Sequence, residues 1–178
     1  QLQTMSKIDY DLTMIDGIVF DIDGVLSPST VPMGDDGAPR RMVNVKDGYS
    51  IQLAVKKGIR FAIITGAAGE TLCRRYNALG VNDVYLKAAD KMPCLLDWLD
   101  RTGLTPDRVA YMGDDIPDIC VMQAVGLPCA PRDADPEVKA IARYITRADG
   151  GYGAGRELVE QVLRAKGLWM SHADAFGW

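Results

Sequence analysis

Two aspartates one residue apart, followed by glycine, stand at the end of an apolar run: Asp21-Ile22-Asp23-Gly24 after Gly17–Phe20. Carboxylates paired in this way can divide the work of an ester cleavage, one attacking the electrophile and the other moving protons. Three further groups follow similar runs. Thr65-Gly66 closes Ile59–Ile64, Lys91 opens an amphipathic stretch, and Gly113-Asp114-Asp115-Ile116-Pro117-Asp118 follows Arg108–Met112. Together they suit a phosphate monoester, whose negative charge repels nucleophiles. Its cleavage needs a nucleophile, a proton donor for the leaving oxygen and positive charge around the phosphoryl group.

Asp21 is the expected nucleophile and would give an aspartyl-phosphate. Asp23 is the expected acid, then the base that activates water. The glycine permits the turn that faces both carboxylates into one pocket. Mg²⁺ is the expected cofactor, a hard ion that takes oxygen ligands and retains room for a phosphate oxygen. The Asp21 and Asp114 carboxylates and the Asp23 carbonyl are its candidate ligands. Thr65 offers a hydroxyl and Gly66 a backbone N–H to a phosphoryl oxygen, and Lys91 can neutralise another. Each group alone reads as a turn, a cap or a solvated side chain. Their order along the chain carries the argument.

Positioning these groups requires a sheet. Short apolar runs alternate with amphipathic stretches, which predicts strands at 17–21, 59–64, 83–86, 108–112, 127–129 and 144–145. Helices are predicted over about 47–57, 69–79, 91–101, 116–124 and 155–166, with Asp47 as the cap of the first. Strand–helix alternation with wholly apolar strands implies an α/β, Rossmann-like parallel sheet covered by helices on both faces, within one domain over 1–178. Chemistry in such sheets gathers at the carboxyl ends of the strands, where all the acids and hydroxyls above fall. Residues 31–33 and 42–45 flank Gly34-Asp35-Asp36-Gly37 and are expected to form a small β-hairpin inside a segment of about 25–46. Neither the gap from Gly24 to Asp47 nor that from Gly66 to Lys91 has room for a cap domain.

The chain has 178 residues, 48% of them apolar, with a net charge of −4. That charge gives no global attraction to nucleic acid or anionic membrane. Cys73, Cys94, Cys120 and Cys129 form no C-x-x-C pair and, with His172, no zinc set, so buried free thiols and a cytoplasmic setting are expected. No apolar run is long enough to span a bilayer, and Gln1–Tyr10 does not read as a signal peptide.

FDIDGVLS, IITG, Lys91 and GDDIPD resemble the four motifs of the haloacid dehalogenase superfamily of phosphatases. By that resemblance Asp118, with Asp115, supports the metal site from behind the ligands. NVKDGY and GDDIPD are further similar to a cap-less branch acting on the phosphate of an eight-carbon 2-keto-3-deoxy sugar acid used in lipopolysaccharide synthesis. The similarity runs from Tyr10 to the C-terminus. It implies a cytoplasmic homotetramer and substrate contacts at Asp23, Asn44, Val45, Lys46, Asp47, Gly48, Gln52, Gly66, Arg75 and Lys91. Relatives often carry a basic residue after the Thr-Gly pair, where this chain has Ala67 and Ala68, so Arg75 is left to carry more of the carboxylate recognition. The nearest rival is a phosphatase for a nine-carbon sugar acid. A phosphate-accepting receiver domain shares the clustered acids but lacks the D-x-D-G pair, and Asp23 argues against it.

The absent cap raises a question of lids. The Val31–Val45 hairpin, with Met33, Met42 and Val43, is expected to build a subunit interface. The tail, 167–178, with Trp169, Met170, Phe176 and Trp178, either closes a neighbour's site or packs on its own subunit.

Overall fold

The structure is a computed structural model that describes residues 8–178; of the polar start Gln1–Tyr10, residues 1–7 lie outside the described residues. Six parallel strands form one sheet: β1 (Gly17–Phe20), β2 (Arg60–Ile64), β3 (Asp83–Tyr85), β4 (Val109–Met112), β5 (Leu127–Ala130) and β6 (Tyr144–Ile145), in the order β3-β2-β1-β4-β5-β6. Six helices cover it: α1 (Val45–Lys56), α2 (Glu70–Ala78), α3 (Met92–Thr102), α4 (Ile119–Ala124), α5 (Pro136–Ile141) and α6 (Ala154–Ala165). The α/β architecture read from the sequence is the one observed.

Every residue of β1, β4 and β5 is buried, because both faces of the sheet are covered. Side chains alternate between two cores. Ile18, Phe20, Phe61, Ile63 and Met112 join α1, α2 and α6 on one face. Val19, Ala62, Ile64, Val109 and Tyr111 join α3, α4 and α5 on the other, around Trp98. The strand order reverses between β1 and β4, so the loops leaving them part to opposite sides and open a crevice at their carboxyl ends. Asp21 and Asp114 border that crevice.

Several local expectations need correction. The cap of α1 is Asn44, whose side chain accepts from the N–H groups of Lys46 and Asp47, and the helix starts earlier than predicted. Asp47 instead accepts from the Arg156 N–H at the start of α6, at 2.8 Å. The Asp135-Pro136 pair opens α5, which the sequence reading passed over. The hairpin has its turn but not its strands. One antiparallel bridge joins Met33 to Pro39, and residues 42–44 belong to no strand. Pro32 and Pro39 lack the N–H that would extend a ladder.

The tail folds onto its own chain. The Trp169 ring lies 4.7 Å from the Arg156 guanidinium, Tyr49 meets Trp169 and Trp178 edge-on, the Tyr49 hydroxyl donates to the Ala175 carbonyl, and Lys57 pairs with Asp174 at 3.0 Å. Met170, Phe176 and Trp178 nevertheless stay exposed on that packed tail. All four cysteines are free, but only Cys129 is buried and Cys120 is exposed, because α4 turns the latter outward.

Candidate active site

A cavity of about 440 Å³ lies at the carboxyl ends of β1, β2 and β4. Asp21, Asp23, Thr65, Gly66, Lys91, Asp114, Asp115 and Asp118, drawn from four separate segments of the sequence, all line it. The sheet has therefore brought the expected catalytic and metal-site residues together.

The floor is a charged chain of contacts. Lys91, at the start of α3, places its ammonium 2.9 Å from Asp21 Oδ2 and 2.7 Å from Asp118 Oδ1. Tyr111 donates to the same Asp118 oxygen at 2.7 Å, while the backbone N–H groups of Asp114 and Asp115 donate to Asp118 Oδ2. Asp118 is fully buried, with both oxygens occupied. It holds Lys91 and the β4 loop in place. Asp115 caps the short 3₁₀ turn Ile116–Asp118 by accepting from the Ile116 N–H. Thr65 is buried and its hydroxyl accepts from the Ala67 N–H at 3.0 Å, which fixes the loop that offers Gly66 to the cavity.

Carboxylate ligand atoms of Asp21, Asp114 and Asp118 lie within 4.8 Å of one another. Crowding has the expected consequence. Burial, and then the charge of Asp118, push the Asp21 carboxyl up to about 6 even though Lys91 pulls it back. Burial, then Asp21 and Asp118, push Asp114 up to about 8. Burial alone would lower the Lys91 ammonium, but Asp21 and Asp118 outweigh it and hold it above its ordinary value. A divalent cation among these oxygens would relieve that repulsion, so the donor set fits a hard metal ion. Asp118 belongs to the group by distance, but each of its oxygens already takes two donors, whereas each Asp21 oxygen takes one, from Lys91 or the Ile22 N–H, so Asp21 and Asp114 are the better placed ligands. Gly24 makes the approach of Asp114 possible: it has φ +81°, and a Cβ there would lie 1.8 Å from Asp114 Oδ2.

One side chain of the cavity was missed. Arg41 lines the cavity and grips Asp23 in a fork, Nε to Oδ1 at 2.6 Å and Nη2 to Oδ2 at 2.8 Å. The signal available was a pair of arginines, Arg40-Arg41, in the loop that leaves the catalytic strand. Nothing in the spacing told which of the two turns inward.

The remaining expected substrate contacts lie elsewhere. Asn44, Asp47, Gly48 and Arg75 line a second crevice of about 10 Å³, beside Tyr76. Gly48 lets Arg75 lie against α1, since a Cβ there would meet Arg75 Nη2 at 2.5 Å. Gln52 is buried one turn further along α1, while Val45 and Lys46 are exposed. Within one chain none of these seven lines the Asp21 cavity.

The fold and site define a class, and the comparisons agree with it. A family model described as haloacid dehalogenase-like hydrolase matches residues 77–153. The 3-deoxy-D-manno-octulosonate 8-phosphate phosphatase KdsC of Escherichia coli K12 is 39% identical over 150 residues, covering 84% of this chain and 80% of that protein. The crystal structure of the phosphatase of that name from Yersinia pestis superposes with a TM-score of 0.86 at 37% identity, over 89% of this chain and 85% of that one. The one from Moraxella catarrhalis, in complex with magnesium, phosphate and KDO, superposes with a TM-score of 0.87 at 29% identity, over 94% and 96%. This chain belongs to the haloacid dehalogenase-like hydrolases, in the family of the 3-deoxy-D-manno-octulosonate 8-phosphate phosphatases.

Proposed function

We propose that this protein hydrolyses 3-deoxy-D-manno-octulosonate 8-phosphate to the free sugar acid and phosphate. The observation that carries the chemistry is Asp21, buried at the cavity floor and oriented by Lys91, with Asp23 two residues along at the same cavity. The choice of substrate is supported by the similarity to enzymes of that name over most of the chain.

Asp21 attacks phosphorus while the bond to the sugar oxygen breaks, and Asp23 gives that oxygen its proton. Water then attacks the aspartyl-phosphate, losing a proton to Asp23, and phosphate leaves with Asp21 restored. Lys91, the Thr65 hydroxyl and the Gly66 N–H hold the phosphoryl oxygens throughout. Asp21, Asp114 and the Asp23 carbonyl would hold Mg²⁺, which supplies positive charge to the phosphoryl group when bound.

Finer features belong to the same proposal. The protein works in the cytoplasm, in lipopolysaccharide precursor synthesis, as a homotetramer. No helix of the described residues is long and apolar enough to cross a membrane. Met33, Met42, Val43 and Val45 are exposed apolar side chains on and beside the loop before α1, a surface that a neighbouring subunit can cover. Asn44–Gly48, Gln52 and Arg75 then act on substrate only where a neighbour brings its own cavity to them.

The deciding experiment is phosphate release from a panel: the eight-carbon sugar-acid phosphate, its nine-carbon analogue and neutral sugar phosphates. The eight-carbon compound should lead in kcat/KM by at least about tenfold, a margin of about 1.4 kcal/mol. A flat profile, or one led by the nine-carbon acid, would reject the assignment.

A further inference from the structure

Resting on that reading of the substrate, we propose that Arg41 is the residue that recognises the sugar acid's carboxylate, exchanging Asp23 for it when substrate enters. Lys91 and Arg41 are the cations lining the cavity among the described residues. Lys91 stands between the nucleophile and Asp118, at the end of the cavity where the phosphoryl group is held. The loop after Thr65-Gly66 contributes Ala67 to the lining and no cation. Within one chain, a substrate with a phosphate at one end and a carboxylate at the other thus meets Lys91 for the first and Arg41 for the second.

The geometry of the Arg41–Asp23 pair makes the exchange economical. Both Asp23 oxygens accept from Arg41, yet the acid must present an oxygen to the leaving group, so Arg41 has to release at least one of them. A planar guanidinium loses little if one carboxylate fork replaces another. Its side chain is 12% exposed against 39% for Asp23, so the pair lies at the cavity edge, where an entering anion can compete. The loop is also free to follow. Arg41, Met42 and Val43 make no backbone hydrogen bond among the described residues. In the ring form of the sugar acid, the carbon bearing the carboxylate and the carbon bearing the phosphorylated chain flank the ring oxygen. A carboxylate reader beside the leaving-group acid is therefore correctly placed.

The test compares 3-deoxy-D-manno-octulosonate 8-phosphate with glucose 6-phosphate in the wild type, R41A and R41K, with circular dichroism and Tm confirming the fold. The ratio of the two kcat/KM values should fall about ten- to a hundredfold in R41A, the change for the acid lying mainly in KM. R41K should recover part of it, as a point charge without the fork. Inhibition by the free sugar acid should weaken by a similar factor in R41A. A wild type indifferent to the carboxylate would overturn the substrate reading and this proposal together. A wild type that prefers the acid, with an R41A variant that keeps the same ratio, would overturn the role of Arg41 alone.

Discussion

Two buried polar clusters, one at the cavity and one in the crevice between α1 and α2, are completed to different degrees. At the cavity, Asp118 accepts from Lys91, Tyr111 and two backbone N–H groups, and nothing in that support is left open. In the crevice region, Asp47 Oδ2, both amide atoms of Gln52 and Arg75 Nε are buried without a partner. Unmet buried polar atoms are costly and uncommon in native proteins. The contrast teaches that one chain suffices to position the nucleophile, whereas the α1 crevice carries hydrogen-bonding capacity that the single chain does not use.

The largest effects should come from the completed cluster. Asp21→Asn keeps the volume but removes the nucleophile and one of the two acceptors that Lys91 and the Ile22 N–H use, so phosphate release should fall by at least about a thousandfold while circular dichroism shows the fold retained. Near-normal turnover would end the covalent mechanism. Chelation by EDTA should silence the enzyme as fully. Mg²⁺ should restore it and Ca²⁺ should do so poorly, because its larger, looser shell misplaces the phosphoryl group. Full activity in excess chelator would show that Lys91 alone balances the cavity. Asp118→Ala would leave Lys91, Tyr111 and two N–H groups without their acceptor. The expected cost is about 3–5 kcal/mol in urea unfolding, far more than an exposed aspartate would show.

The unfinished cluster should respond in the opposite direction. Burial pushes Asp47 up to about 6, against backbone donation by Arg156. Because the folded value lies above the unfolded one, the folded state binds the extra proton, and stability should decline as pH rises from about 4 to about 6. Asp47→Asn retains an acceptor for Arg156 without the buried charge. It should flatten that decline and gain at most roughly 3 kcal/mol at pH 7. Denaturation midpoints at several pH values check this, and an unchanged slope would remove Asp47 as its source. The smallest effect concerns the tail. Deleting residues from Ser171 onward removes the Ala175 anchor and the Tyr49–Trp178 edge contact, and should cost about 1–2 kcal/mol, seen as a few degrees in Tm.

The same contrast explains what the sequence made legible. Asp21, Thr65 and Asp114 could be placed because each follows a strand whose last residues are all apolar, and a parallel sheet delivers strand ends to one edge. Lys91 followed from a helix start at that edge, and Asp118 only from the resemblance of GDDIPD to a family motif. Groups positioned by loops were not legible. Arg41 reaches Asp23 across a segment whose prolines prevent the predicted strands, and no periodicity records which arginine turns inward. Asn44 rather than Asp47 caps α1 because Asp47 is claimed by α6, a contact 109 residues away in the chain. The α5 helix was within reach, since Asp135 before Pro136 is a recognisable start, but six residues give too little apolar period to stand out.

The docking of the tail has an optical consequence. Of the three tryptophans, Trp98 is wholly buried in the core on the far face of the sheet, Trp169 is half-covered beside Arg156, and Trp178 is 70% exposed against Tyr49. Acrylamide should therefore quench the emission of Trp178 first and that of Trp98 last. Detachment of the tail should redden the emission of Trp169 while Trp98 stays blue, so the protein's own fluorescence distinguishes a loosened terminus from an opened core.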